Sequence, residues 1–205
     1  MRETLSVREM LEDVVDPTHT ALLVIDVQND FCEANCQAML PRLERVIAAA
    51  REAGVYVVYI QNAMLAGGGS EPPAQVARKR KLEMRTESTV DGTWGQQIVE
   101  QVAPRASEPV VRKHRMNCFF GTSLDLLLRC RGIETIICTG VATQGCVLNT
   151  AYGAIAQDYY AVVVDDCVAT KDAELHELAL RLMRSSVHHV VPSDRLLAVW
   201  QAAGR

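Results

Sequence analysis

Three residues of this 205-residue chain form a set that could do chemistry: the carboxylate of Asp26, the ammonium of Lys113 and the thiol of Cys146. A carboxylate can move a proton, a thiol can attack a carbonyl carbon, and an ammonium can hold both groups in place. None of the three is decisive alone. Asp26 ends the apolar run Thr20-Ala-Leu-Leu-Val-Ile25, where a carboxylate is costly unless paired or used. The same residue could instead cap the turn Val27-Gln-Asn-Asp30. Lys113 has Arg112, His114 and Arg115 as neighbours, and spacing does not say which of the four points inward. Cys146 differs from the other six cysteines by position. Cys138 and Cys167 lie in or just after apolar strand patterns and Cys130 lies late in a helical one, as buried packing does. Cys146 falls in the first turn of a helical pattern that begins where a strand ends. Unpaired N–H groups and the positive helix end there favour a thiolate and can bind an oxyanion.

The elements that must position these groups follow from the apolar pattern. Strand-length runs recur at Thr20 to Asp26, Val55 to Ile60, Val110-Val111, Thr135 to Thr139, Tyr159 to Val164 and Val187 to Val191. Most lack the alternation of a half-exposed strand. Between them, apolar residues at three- and four-residue spacing predict helices over Ala38 to Ala53, Thr122 to Arg131, Cys146 to Gln157 and Ala173 to Ser185. Strand and helix in alternation imply a parallel sheet covered on both faces. Gly54 and Gly132 sit where left-handed helix caps are wanted. The stretch from Ala63 to Trp94, with Gly67-Gly-Gly69 and Pro72-Pro73, is a long excursion of the kind that serves as a lid or a partner contact. In an open parallel sheet the ligand lies beyond the carboxyl ends of the strands. Those ends offer Asp26, Gln61-Asn62, Lys113, Gly140 to Cys146 and Asp165-Asp166.

Composition narrows the function. With 49% hydrophobic residues the chain can bury a sizeable core, and residues 1–205 read as one domain with 1–18 as an N-terminal extension. A net charge of -4 gives no pull toward phosphates, and the cluster Arg78-Lys-Arg-Lys81 reads as a solvated helix face, so no nucleic-acid partner is expected. No apolar run is long enough for a membrane span, and Met1 to Glu9 lacks a signal-peptide core, which makes the cytoplasm the expected location. Seven cysteines, an odd number, argue for reduced thiols. Cys32 and Cys36 have no second pair, and His188-His189 adjoin on a strand where neighbours face opposite ways, so no metal site is expected.

Three motifs say more. Leu22-Leu-Val-Ile-Asp-Val-Gln-Asn-Asp-Phe-Cys32, Lys113 with Phe119-Phe-Gly-Thr-Ser-Leu-Asp125, and Gly140-Val-Ala-Thr-Gln-Gly-Cys-Val147 resemble the isochorismatase-like cysteine hydrolases, in that family's order. The resemblance runs from about Ala21 to His189. It implies an α/β, Rossmann-like three-layer sandwich with a mostly parallel six-stranded sheet. It also implies Cys146 as nucleophile, Asp26 as general base and then acid, and Lys113 as the cation that orders both. A cis peptide at Val141-Ala142 would turn the backbone N–H groups of Ala142 and Cys146 toward the substrate oxygen as an oxyanion hole. Family members that cleave the vinyl ether of isochorismate lack the cysteine, so Cys146 favours C–N hydrolysis. The metal-binding Asp-x-His pair and further His of the nicotinamidase branch are missing from Tyr59 to Leu65, and no cofactor is expected. Asp91-Gly-Thr-Trp-Gly95 and the Lys113 segment look like the branch acting on N-carbamoyl and ureido compounds. A vinyl ether hydrolase and a non-catalytic binding domain are the alternatives.

The chain departs from the family in a short segment after Phe31 and in Gln144, where many members have Asn or Asp. Gln28, Phe31, Trp94 and Phe119 are the expected pocket walls. A small-molecule substrate and a homo-oligomer, dimer or tetramer, complete the expectation.

Overall fold

Six strands pair side by side in the order β3-β2-β1-β4-β5-β6, and every pairing is parallel. They are β1 (Thr20–Ile25), β2 (Tyr56–Asn62), β3 (Val110–Lys113), β4 (Thr135–Val141), β5 (Tyr160–Ala169) and β6 (His189–Val191). The computed structural model describes residues 7–85 and 87–203, so the first six positions of the expected N-terminal extension lie outside the described residues. The helices are α1 (Leu11–Val14), α2 (Leu40–Ala53), α3 (Pro73–Lys81), α4 (Leu124–Arg129), α5 (Leu148–Ile155), α6 (Ala173–Arg184) and α7 (Ser193–Ala203). No helix among the described residues is long and apolar enough to cross a membrane.

Helices cover both faces of the sheet, which is why its strands read as unbroken apolar runs. Along β1, Leu22 and Val24 point into one core, with Leu43 and Ile47 of α2 and Leu196 and Trp200 of α7. Ala21, Leu23 and Ile25 point into the other, with Leu128 of α4, Ala151 of α5 and Met183 of α6. Gly54 and Gly132 close their helices at φ 82° and 64°. β5 runs past Val164 and takes in Asp165 and Asp166, so these are not strand-end groups facing a crevice. Asp165 pairs with Arg184 at 3.1 Å, and Asp166 accepts the N–H and hydroxyl of Ser193 at the start of α7. Both carboxylates serve the fold.

The chain leaves β1 for β2 and β3 on one side, then returns across to β4 on the other. The carboxyl ends of β1 and β4 therefore flank the reversal point, where a parallel sheet opens a crevice. Gly140 makes that approach close. It pairs with Ile25, has φ 104°, and a Cβ there would sit 2.0 Å from the Ile25 carbonyl oxygen. Gly140→Ala is expected to cost at least about 3 kcal/mol, because it combines backbone strain with a main-chain clash. Thermal melts should register this as a fall in Tm of roughly 6–12 °C.

Candidate active site

Asp26 begins where β1 ends. Its φ of 52° lies in the left-handed region, at a cost of about 1 kcal/mol for a non-glycine residue. Its N–H is held by the Ile60 carbonyl, so the turn starts in register with β2. Lys113 ends β3, whose burial alternates so that Val111 and Lys113 are buried while Val110 and Arg112 are exposed. That alternation is the period-2 signal selecting Lys113 from its charged neighbours. Its ammonium lies 2.7 Å from Asp26 Oδ2 and 3.2 Å from Cys146 Sγ, and it donates a third bond to the Arg115 carbonyl at 3.0 Å. Asp26 and Lys113 are both 0% exposed. The three residues named from the sequence thus meet at one point, joined by the lysine.

Charge at this point is set by burial and by the ion pair. Burial pulls the Lys113 ammonium down, but the Asp26 carboxylate beside it holds it above its ordinary value, so it stays charged. For Cys146, burial pushes the thiol up and the Asp26 carboxylate adds to this, outweighing Lys113. Cys146 sits in the turn Thr143–Val147, directly ahead of α5. Within it Gly145 departs from helical geometry at φ -102°, ψ -106°, which kinks the chain just before Cys146.

The Val141-Ala142 peptide is cis. The N–H groups of Gly145 and Val147, on either side of Cys146, both donate to the Ala142 carbonyl, at 2.9 and 3.3 Å. Thr143 Oγ1 and His176 Nδ1 lie 2.9 Å apart and tie this turn to α6.

Cys146 opens into a cavity of about 450 Å³. Phe31 is on its wall, as expected from the sequence, but Gln28, Trp94 and Phe119 are not. Gln28 is fully buried and donates to the carbonyls of Asn62 and Gln96 while accepting the Asn62 N–H, which stitches β2 to the segment after Trp94. Trp94 is 70% exposed. Phe119 stacks on Tyr159 at 5.9 Å in the core, and its neighbour Phe120 lines the cavity instead.

The Ala63 to Trp94 excursion forms much of the remaining wall, and it corrects the reading of the basic cluster. Arg78 and Lys79 line the cavity together with Gln75, while Arg80 and Lys81 face solvent. Spacing of three and four residues from Gln75 was the available signal, hidden because nothing in α3 is apolar enough to mark an inner face. Arg115, Met116 and Asn149 were likewise missed, since no local pattern distinguishes them. Among the described residues, no three His, Cys, Asp or Glu side chains gather into a set that could hold a metal ion.

Comparison with known proteins agrees with this arrangement. Residues 20–195 match the model of the isochorismatase domain. A ureidoacrylate amidohydrolase of Methylorubrum extorquens is 35% identical over 191 residues, spanning 81% of this chain and 76% of that protein. Among solved structures, an isochorismatase family protein from Desulfovibrio vulgaris superposes with a TM-score of 0.78 at 32% identity, covering 89% of this chain and 98% of that one. The N-carbamoylsarcosine amidase of Thermoplasma acidophilum does so with 0.72 at 26%, covering 85% and 96%. The chain is therefore a member of the isochorismatase family of hydrolases.

Proposed function

We propose that the chain is a cysteine-dependent amidohydrolase that cleaves a C–N bond of a small amide, N-carbamoyl or ureido compound through a thioester. The observation that carries this reading is the single ammonium of Lys113 bridging Asp26 Oδ2 and Cys146 Sγ at the edge of a cavity. The thiol must give up its proton to attack, and Asp26 is the carboxylate beside it. Asp26 takes the thiol proton as sulfur attacks the carbonyl carbon, and the N–H groups of Ala142 and Cys146 hold the oxyanion. Asp26 then gives the proton to the departing amine or ammonia, and later takes one from the water that hydrolyses the thioester. Lys113 keeps its charge throughout and offsets the carboxylate in a dry site. The relatives named for ureidoacrylate and N-carbamoylsarcosine support the substrate class.

The test is release of ammonia from a panel of N-carbamoyl amino acids, ureidoacrylate, biuret, maleamate and nicotinamide. Turnover of at least one ureido or N-carbamoyl compound is expected. Ammonia from none of them, or pyruvate from isochorismate, would overturn the reading. The same proposal places the enzyme in the cytoplasm as a homo-oligomer. Leu175, Leu178 and Leu182, exposed on α6 at three- and four-residue spacing, support an oligomer contact there.

A further inference from the structure

The cavity beside Cys146 is cationic, although the chain as a whole carries a net charge of -4. Its walls bring Arg78, Lys79 and Arg115 against one carboxylate, Glu71. That carboxylate is already used, because Lys79 pairs with it at 2.8 Å and both side chains are largely buried. The two arginines have no carboxylate within ion-pair reach among the described residues. Arg78 Nη2 touches only the sulfur of Met116, at 3.8 Å. Arg115 spends Nη1 on the carbonyls of Ser70 and His114, leaving its other donors uncommitted. Two guanidiniums half-withdrawn from water and lacking a counter-charge favour a planar anion they can grip by two parallel bonds.

We infer that Arg78 and Arg115 form the subsite for a substrate carboxylate, so that the preferred substrates are small ureido or N-carbamoyl acids and not neutral amides. The inference rests on the amidohydrolase reading and adds to it the charge of the substrate's far end. The subsite and the nucleophile belong to one wall. Met116 Sδ lies 3.8 Å from both Arg78 Nη2 and Asn149 Nδ2, and Asn149 in turn donates to the carbonyl of Gly145, the residue before Cys146. The anion subsite and the nucleophile thus share one cavity wall, joined through Met116 and Asn149. Lys79, held by Glu71, braces the wall without competing for the ligand.

Binding can be read without turnover. Calorimetric titration of the full-length Cys146→Ala protein with 3-ureidopropionate and with neutral 3-ureidopropanol compares ligands that differ only in the charged end. The acid is expected to bind at least about tenfold tighter, the size of one good charged hydrogen-bonding contact. Adding Arg78→Gln or Arg115→Gln should remove that advantage and leave alcohol binding within about twofold. Arg78→Lys, which keeps charge but loses the fork, should restore part of it. Arg80→Gln, on the solvent side of the same helix, should change nothing. Equal affinity for acid and alcohol, no binding of either, or arginine variants that leave acid binding untouched would overturn the inference. Failure of the amidohydrolase reading shows separately, as absence of ammonia from the wild-type protein.

Discussion

Cys146→Ala is expected to lower ammonia release by about 10⁴-fold or more, because the variant has no atom that can form the thioester. The fold should survive. The side chain is partly exposed to the cavity, and the one hydrogen bond its sulfur receives comes from Lys113, which keeps Asp26 and the Arg115 carbonyl as partners. Two measurements separate loss of chemistry from loss of structure. The melting temperature of the variant should stay within a few degrees of the parent. Intact mass of the parent mixed with a slow substrate should show an acyl adduct, and mass of the variant should not. Turnover retained by the alanine variant would exclude covalent catalysis at this sulfur.

The second large effect concerns Lys113, and it falls on stability as well as on activity. Lys113→Met strips a fully buried carboxylate of the one cation that pairs with it among the described residues, where neither oxygen of Asp26 has a well-formed hydrogen bond to replace it. Removing one partner of a buried pair typically costs about 3–5 kcal/mol, since the remaining charge is left in a low-dielectric site. For a chain of this length that is a fall in Tm of roughly 10 °C. Asp26→Asn combined with Lys113→Met removes both charges and should recover most of that loss while remaining inactive. A double-mutant cycle on chemical unfolding therefore gives a coupling of several kcal/mol. If the double variant is as unstable as the sum of the single ones, the pair does not hold the site together as described. Activity and stability part company here: the double variant folds without working.

How much of this was legible beforehand differs from residue to residue. The strands were visible because a sheet covered on both faces needs unbroken apolar runs, and β1 and β4 are such runs. Asp165 and Asp166 look like a strand's end, yet β5 continues through them to Ala169. The approach of Arg184, Ser193 and Arg42 from elsewhere in the chain makes carboxylates tolerable inside it. Lys113 was one of four candidates until the exposure of Arg112 and the burial of Val111 fixed the face. Phe119 and Phe120 are indistinguishable in composition, and a turn ahead of α4 decided which one packs on Tyr159. The side of α3 that meets the cavity is set in the same way, by how the excursion folds back toward the segment after β3, where Arg78 meets Met116 and Arg115 donates to the Ser70 carbonyl.

The sequence by itself determined the elements and the groups at their ends: apolar periodicity is local, and parallel strands deliver their carboxyl ends to one edge wherever they pair. It therefore placed Asp26, Lys113 and Cys146 near one crevice. Tertiary structure alone decided the surroundings of the Cys146 thiol, where burial and the neighbouring Asp26 push it up against the pull of Lys113. It also decided that Arg78 and Arg115 face the cavity. Charge state and cavity lining are sums over atoms far apart in the chain, and no window of the sequence contains them.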